Sequence, residues 1–348
     1  MATVGTAVHD LKSALHRMML IRRVEEQVID LATSFDDLIR GHYHVYIGQE
    51  ATGVGACMAL GPDDYMFTTH RNHGHVIARG GEPGPVIAEI IGRTTGYNKG
   101  RGGTFHVIAK HLGVLQTSAI VGGGVPMAAG AAFSAKMRDT DQVSLVFFGD
   151  GVLEEGAFHE ALNMSSLWNL PLIMMCENNS VPQEGHRQGE YPTSSFAATQ
   201  LADVASAMNV EAHVVDGSDV RQVGELLAGL VGRAREGEGP FFIESRLDRW
   251  PGNLGQFPQL IGGPYRLAWT WDPGTADARL QDWLADSDPV SLLCRSLVEE
   301  GALTREEIEE VDAIARREAE EAREFALSSP MPSPESAMDY IFAQGETR

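Results

Sequence analysis

Short apolar runs alternate along this chain with longer stretches whose apolar positions recur every three or four residues. Residues 143–148 (Val-Ser-Leu-Val-Phe-Phe) and 170–176 (Leu-Pro-Leu-Ile-Met-Met-Cys) are compact runs of β formers and read as buried strands. Residues 64–68, 211–215 and 241–244 read as three more strands. In contrast, Leu11, Leu15, Met18, Met19, Val24 and Val28 fall on one side of a helix spanning residues 8–34. Further helices are expected over residues 51–60, 85–93, 125–137 and 220–236, the third built of small residues suited to close packing on a sheet. Strands alternating with helices predict an α/β fold with a mostly parallel central sheet. Residues 41–50 and 180–199 read as loops, and residues 96–124 are Gly-rich with few periodic signals. Such long irregular stretches are often functional. Beyond Asp272 the pattern turns helical. Thr304-x-x-Glu307 is a capping box, and Ile308, Val311, Ala315, Ala319, Ala322 and Phe325 keep one apolar face behind it. With no repeat, low-complexity tract or clear linker, residues 1–348 read as one domain. It comprises an N-terminal helical extension (1–40), an αβα core (41–272) and a helical C-terminal arm (273–348).

Composition narrows the function classes. The 348 residues carry 27 basic and 48 acidic side chains, a net charge of −21, which argues against nucleic acid as a partner. The acidic stretch near residues 299–324 reads as a solvated helix face. Three cysteines, Cys57, Cys176 and Cys294, are too scattered for a disulfide framework or a zinc site, and Cys176 reads as a buried small hydrophobe. No stretch suggests a signal peptide or a membrane span, so a reducing cytoplasm is expected.

The sharpest chemistry lies between Gly149-Asp150-Gly151 and Glu177-Asn178-Asn179. Each motif follows one of the two clearest strands. The spacing allows a strand–helix–strand crossover, which brings both strand ends to the same edge of a parallel sheet. There a carboxylate and an amide oxygen can converge on one hard cation such as Mg²⁺, which completes its shell with substrate phosphates. Gly149-Asp150-Gly151 sits where a strand ends and a helix is expected to begin, and glycine N–H groups at a helix N-terminus suit an anion. A loop Asp and a capping Asn are the plainer alternative, and it is the placement at two strand ends that favours function.

These motifs, with Gly156, His159-Glu160-Ala161-Leu162-Asn163, Leu167-Trp168 and Leu170-Pro171, resemble a known pattern. It is that of the alpha subunit of the thiamine diphosphate-dependent first component of 2-oxo acid dehydrogenase complexes. Tyr46-Ile47-Gly48-Gln49-Glu50-Ala51, Thr69-His70-Arg71-Asn72-His73-Gly74-His75, Lys99-Gly100-Arg101-Gly102-Gly103 and Ile120-Val121-Gly122-Gly123-Gly124-Val125-Pro126 extend the likeness over nearly the whole chain. The wording is nearest the pyruvate and acetoin branches. The resemblance implies a three-layer αβα thiamine diphosphate fold. It makes Asp150, Asn179 and the backbone carbonyl of Val181 the Mg²⁺ ligands, and gives the diphosphate the N–H groups of Gly151 and Val152. Arg71 would add its fork of donors beside His70. Backbone groups of Ala119 and Val121 would hold the aminopyrimidine. His159 and Asn163, one helical turn apart, are as well explained by packing.

By the same resemblance, thiamine diphosphate carries the decarboxylation of a small, pyruvate-like 2-oxo acid. The glutamate that activates the cofactor comes from a separate beta subunit, so the chain is expected to work as an α₂β₂ heterotetramer and to be inactive alone. Catalytic residues on this chain are not specified. His73 and Asn253 are the weak candidates. Asn253 falls where the family pattern has the second His of a His-Gly-His-Ser stretch, and Asn cannot act as general acid or base near neutral pH. With the altered segments 255–263 and 180–186, this points to an acyl acceptor other than lipoamide, such as a carrier-protein thiol or an aldehyde. The partner would be an acyl carrier protein in that case, and a lipoyl transferase if lipoamide is kept as the acceptor. Two rival readings are the N-terminal half of a split transketolase-like ketol transferase and a non-catalytic subunit that stabilises a partner.

Overall fold

The computed structural model describes residues 2–39, 41–179, 197–198, 200–253 and 257–340, with side chains from Asp10 onward. Its centre is a six-stranded, all-parallel sheet. The strands are β1 (Tyr65–Thr69), β2 (Val114–Ser118), β3 (Ser144–Gly149), β4 (Leu172–Asn178), β5 (Glu211–Asp216) and β6 (Phe241–Arg246). They lie in the order β2-β1-β3-β4-β6-β5. Five of them occupy the regions read as strands from the apolar runs. The sixth, β2, was not anticipated: Val-Leu-Gln-Thr-Ser is short, half polar and at the sheet margin, so it lacks the apolar run that marks a central strand.

Alternation along the strands divides the core in two. Leu145, Phe147, Ile173, Met175, Phe241 and Ile243 point to one face, Val146, Phe148, Met174, Cys176 and Phe242 to the other. The first face is covered by the helices Ala2–Ser34, Glu50–Met58 and Val220–Arg235 together with the C-terminal helices. The second is covered by Gly124–Met137, Gly156–Leu167 and the short helix Ala202–Ser206. This is the expected three-layer arrangement.

The long first helix lies along the helix Arg305–Ser328. Two buried arginines fasten the helical arms to the core. Arg22 bonds Glu50 at 2.6 Å and Asp288 at 2.7 Å; Arg23 bonds Asp312 at 2.6 Å and Glu26 at 2.8 Å. The capping box at Thr304 and Glu307 is formed in both directions. The apolar face behind it holds from Ile308 to Ala322. At its end Ala326 takes the buried place and Phe325 is exposed, because the helix has drifted round by that turn. A short helix, Asn72–Ala78, follows β1 where sequence patterning gave no signal. All three cysteines are buried and unbridged. No helix among the described residues is long and apolar enough to cross a membrane.

Candidate active site

Four adjacent strands and β6 end at one sheet edge, and each delivers a segment of the site. His70 and Arg71 follow β1, Ala119 to Val121 follow β2, and Asp150 to Val152 follow β3. Asn179 follows β4 and Arg249 lies three residues past β6. The parallel register pairs Gly149 with Glu177 and Asn178 with Arg246, so these ends are level. The chain leaves β1 towards β2 on one side and β3 towards β4 on the other. The site therefore sits where the strand order reverses, the usual ligand crevice of such sheets.

Asp150 opens a 3-10 turn, Asp150–Glu154, and the α-helix begins only at Gly156. This corrects the expected helix N-terminus: the N–H groups of Gly151 and Val152 belong to the tighter turn. The His159 ring bonds the Leu153 carbonyl at 2.9 Å and pins that turn, which is the structural role weighed for it. Neither Gly149 (φ −85°) nor Gly151 has a left-handed backbone, so the turn itself does not demand glycine. A Cβ at either position would meet no protein atom within 4 Å. What side chains there would fill is the open space over the strand ends, the place where a ligand's phosphates need close backbone approach. Gly122, in contrast, does need its positive φ of 78°, and it brings the turn after β2 against Glu155. Ala119 and Val121 are exposed beside it.

Asn179 is held from two sides. Its Nδ2 donates to Gln49 Oε1 at 3.1 Å, and its Oδ1 accepts from Arg249 Nη2 at 3.0 Å. Val181, expected as a backbone ligand, lies outside the described residues. Arg71 is buried and donates to the Val45 carbonyl at 2.7 Å. Burial, then repulsion from Arg249, pulls its guanidinium down to about 10, still fully charged at neutral pH. Burial also lowers Arg249, against the attraction of Asp150. His70 is pulled down to about 3 by burial and by Arg71; His44, whose ring meets His70 edge-on at 4.6 Å, falls to about 4 for the same reasons. Both imidazoles are neutral at physiological pH.

Of the two catalytic candidates, His73 is fully buried. One ring nitrogen pairs with Glu25 at 3.1 Å and the other reaches the Thr104 carbonyl at 2.8 Å. No nitrogen is left to meet a substrate, so its place is structural. His75 is likewise enclosed between Thr68 (2.6 Å) and Glu177 (3.0 Å), and Tyr46 also donates to Glu177. Asn253 is buried in the turn Pro251–Asn253, four residues beyond Arg249.

Gln49 Nε2 and Arg249 Nε, on the two residues that hold Asn179, have no acceptor among the described residues, and neither has Asn253 Nδ2 in its turn. Leaving such groups unmatched costs about 1–3 kcal/mol each, so they suit a ligand rich in acceptor oxygens. No group of three or more His, Cys, Asp or Glu among the described residues could hold a metal unaided. Asp150 and Asn179 alone thus suit a cation that shares its shell with phosphates. Buried Arg71 and half-buried Arg249, donors without acceptors and two hard oxygens fit a Mg²⁺-bound diphosphate.

A family-wide sequence pattern described as "Dehydrogenase E1 component" matches residues 16–252. The chain belongs to this family. The dehydrogenase E1 components are thiamine diphosphate enzymes with Mg²⁺ as the usual metal, and their alpha subunits work with a beta subunit. Among relatives, the chain is 33% identical to the alpha subunit of acetoin:2,6-dichlorophenolindophenol oxidoreductase from Cupriavidus necator over 333 residues, covering 95% of this chain and 94% of the relative. It is 34% identical to the Bacillus subtilis protein of the same name, covering 95% and 92%. The alpha subunit of the pyruvate dehydrogenase E1 component from Rhizobium meliloti is 33% identical, with 93% and 87% covered. As an E1 alpha subunit, the chain is part of a thiamine diphosphate-dependent decarboxylase. Gln49, Arg249 and His44 are site residues that sequence reasoning did not assign. Gln49 stood inside a quoted motif, and Arg249 opened the segment compared for Asn253. His44 lies two residues before the Tyr46 motif.

Proposed function

We propose that this chain is the cofactor-anchoring subunit of an α₂β₂ enzyme that decarboxylates a small 2-oxo acid and passes the remaining carbon unit to an acceptor other than lipoamide. An aldehyde carbonyl takes it as a hydroxyalkyl unit, forming a carbon–carbon bond with no oxidant; a carrier-protein thiol takes it as an acyl group, with a separate two-electron acceptor taking the electrons. The observation that carries the cofactor-anchoring half is the pair of unmatched donors on Gln49 and Arg249, the residues that hold Asn179, beside Asp150 and buried Arg71. Bound thiamine diphosphate supplies the electron sink for decarboxylation. Asp150 and Asn179 hold Mg²⁺ with the carbonyl of Val181, Gly151 and Val152 present N–H groups to the diphosphate, and Arg71 and Arg249 balance its charge. The backbone at Ala119 and Val121 orients the aminopyrimidine. Neutral His70 and His44 line the crevice without adding charge.

Assembly with a beta subunit is favoured by the bare outer face of the second helical layer. Met127, Phe133, Met137, Met164, Leu167 and Trp168 are all at least 40% exposed there, and Ile120 and Val121 extend this surface to the cofactor edge. Contiguous apolar surface of this kind marks a subunit contact. The altered acceptor is favoured by Asn253: its buried amide cannot exchange a proton near neutral pH, where a histidine could. Co-purified with its beta subunit, the protein should release CO₂ from pyruvate in the presence of thiamine diphosphate and Mg²⁺, while reductive acylation of a lipoyl domain stays at background. Lipoyl acylation matching the rate of CO₂ release would refute the altered acceptor. Turnover by the isolated chain would refute the two-subunit reading.

A further inference from the structure

Gln49 is fully buried at the head of the helix Glu50–Met58, in the segment that also packs Gly48 against Asp248 and Trp250. One end of its amide is committed: Oε1 accepts from Asn179 Nδ2. That bond fixes which way the Asn179 amide faces, because it places the nitrogen towards Gln49 and the oxygen towards Arg249 Nη2. Only that orientation presents an oxygen to a cation. The other end, Nε2, is buried with no acceptor among the described residues. A glutamine kept fully buried with half its amide unmatched is costly unless a ligand matches it.

We propose that Gln49 is a positioning residue for the metal site, which sets the orientation of Asn179 through Oε1 and offers Nε2 to an oxygen of the bound diphosphate. The proposal rests on the cofactor reading above and adds to it a residue whose effect passes through a metal ligand.

The test uses the assembled α and β subunits. Calorimetry reads the Mg²⁺ dissociation constant at saturating thiamine diphosphate, and the thiamine diphosphate constant at saturating Mg²⁺. Gln49→Ala should weaken Mg²⁺ by about fivefold, the worth of one hydrogen bond between neutral amides. Asn179→Ala should weaken it further, and the double variant should bind no worse than Asn179→Ala alone, since the two act through one contact. Gln49→Glu keeps the acceptor for Asn179 but replaces the donor with a carboxylate. It should retain Mg²⁺ affinity within about threefold of the parent, while thiamine diphosphate weakens by about tenfold or more. Losses that multiply in the double variant, or Gln49→Ala affinities within about twofold of the parent, would overturn the proposal. Should Gln49→Ala fail to assemble, Gln49→Glu decides: parental thiamine diphosphate affinity in that variant overturns it. A parent complex that binds no thiamine diphosphate would instead sink the functional reading on which this one stands.

Discussion

Two pairs of arginines, all buried except the half-buried Arg249, differ in how their charge is met. Arg22 and Arg23 lie under the helical arms, and each has carboxylates on it: Glu50 and Asp288 for the first, Glu26 and Asp312 for the second. The one Arg22 nitrogen without a partner belongs to a guanidinium that lies over the rings of Tyr265 and Trp283, about 5.3 and 5.5 Å from their centres. Arg71 and Arg249 lie at the sheet edge, and among the described residues neither makes an ion pair. Arg249 repels Arg71, and the offset is the unbonded attraction of Glu177 and Glu25 for Arg71 and the attraction of Asp150 for Arg249. A fold can tolerate such repulsion where a ligand brings the missing negative charge. Burial alone therefore does not mark a functional arginine; burial without a counter-ion does.

Substitutions should separate the two sets cleanly. Arg22→Met strands Glu50 and Asp288 without their cation and should cost about 3–5 kcal/mol of stability, read by denaturant unfolding. If it left stability unchanged, the structural half of the comparison would collapse. Asp150→Ala should lower activity of the assembled enzyme by about 10²–10³-fold, while unfolding without cofactor hardly changes. A large loss of stability there would make Asp150 a scaffold residue. The depressed histidines give a pH signature. His70 and His44 stay neutral in the fold down to about 3 and about 4, against 6.5 when unfolded. Below pH 6.5 the unfolded chain takes up their protons first, so stability is full above that value and declines towards pH 4. Thermal unfolding across that range should flatten in His70→Phe, whose ring cannot titrate. The gentlest probe is Gly151→Ala. With no clash and no left-handed backbone, it should be neutral or stabilise by about 0.4–1 kcal/mol, yet weaken thiamine diphosphate. Unchanged affinity would show that nothing approaches that backbone.

Much of this was legible before any coordinates. The buried strands β3 and β4 read as apolar runs because both faces of a central parallel strand are covered. Asp150, Asn179 and Arg71 stood out because their motifs follow strands and keep their order. The misses share a cause: β2 and the helix Asn72–Ala78 are short and carry polar or histidine-rich sequence, so tertiary pairing rather than pattern forms them. His73 was a candidate because a histidine among histidines draws attention, yet only the fold reveals that Glu25 and Thr104 occupy both its nitrogens. Gln49 and Arg249 went unassigned for the opposite reason. Their meaning lies in contacts spanning 130 and 70 residues, which no local spacing encodes.

The pairing of the first long helix with the helix Arg305–Ser328 has a consequence for biosynthesis. Arg23 meets Asp312 across 289 residues of chain. At about 5–20 residues per second, the ribosome makes the second partner about 15–60 s after the first. Through that interval the early helix has its apolar stripe formed and its mate unmade. The nascent chain thus carries a sticky segment for most of its synthesis, and chaperone occupancy of that helix should fall only once the last long helix has left the exit tunnel.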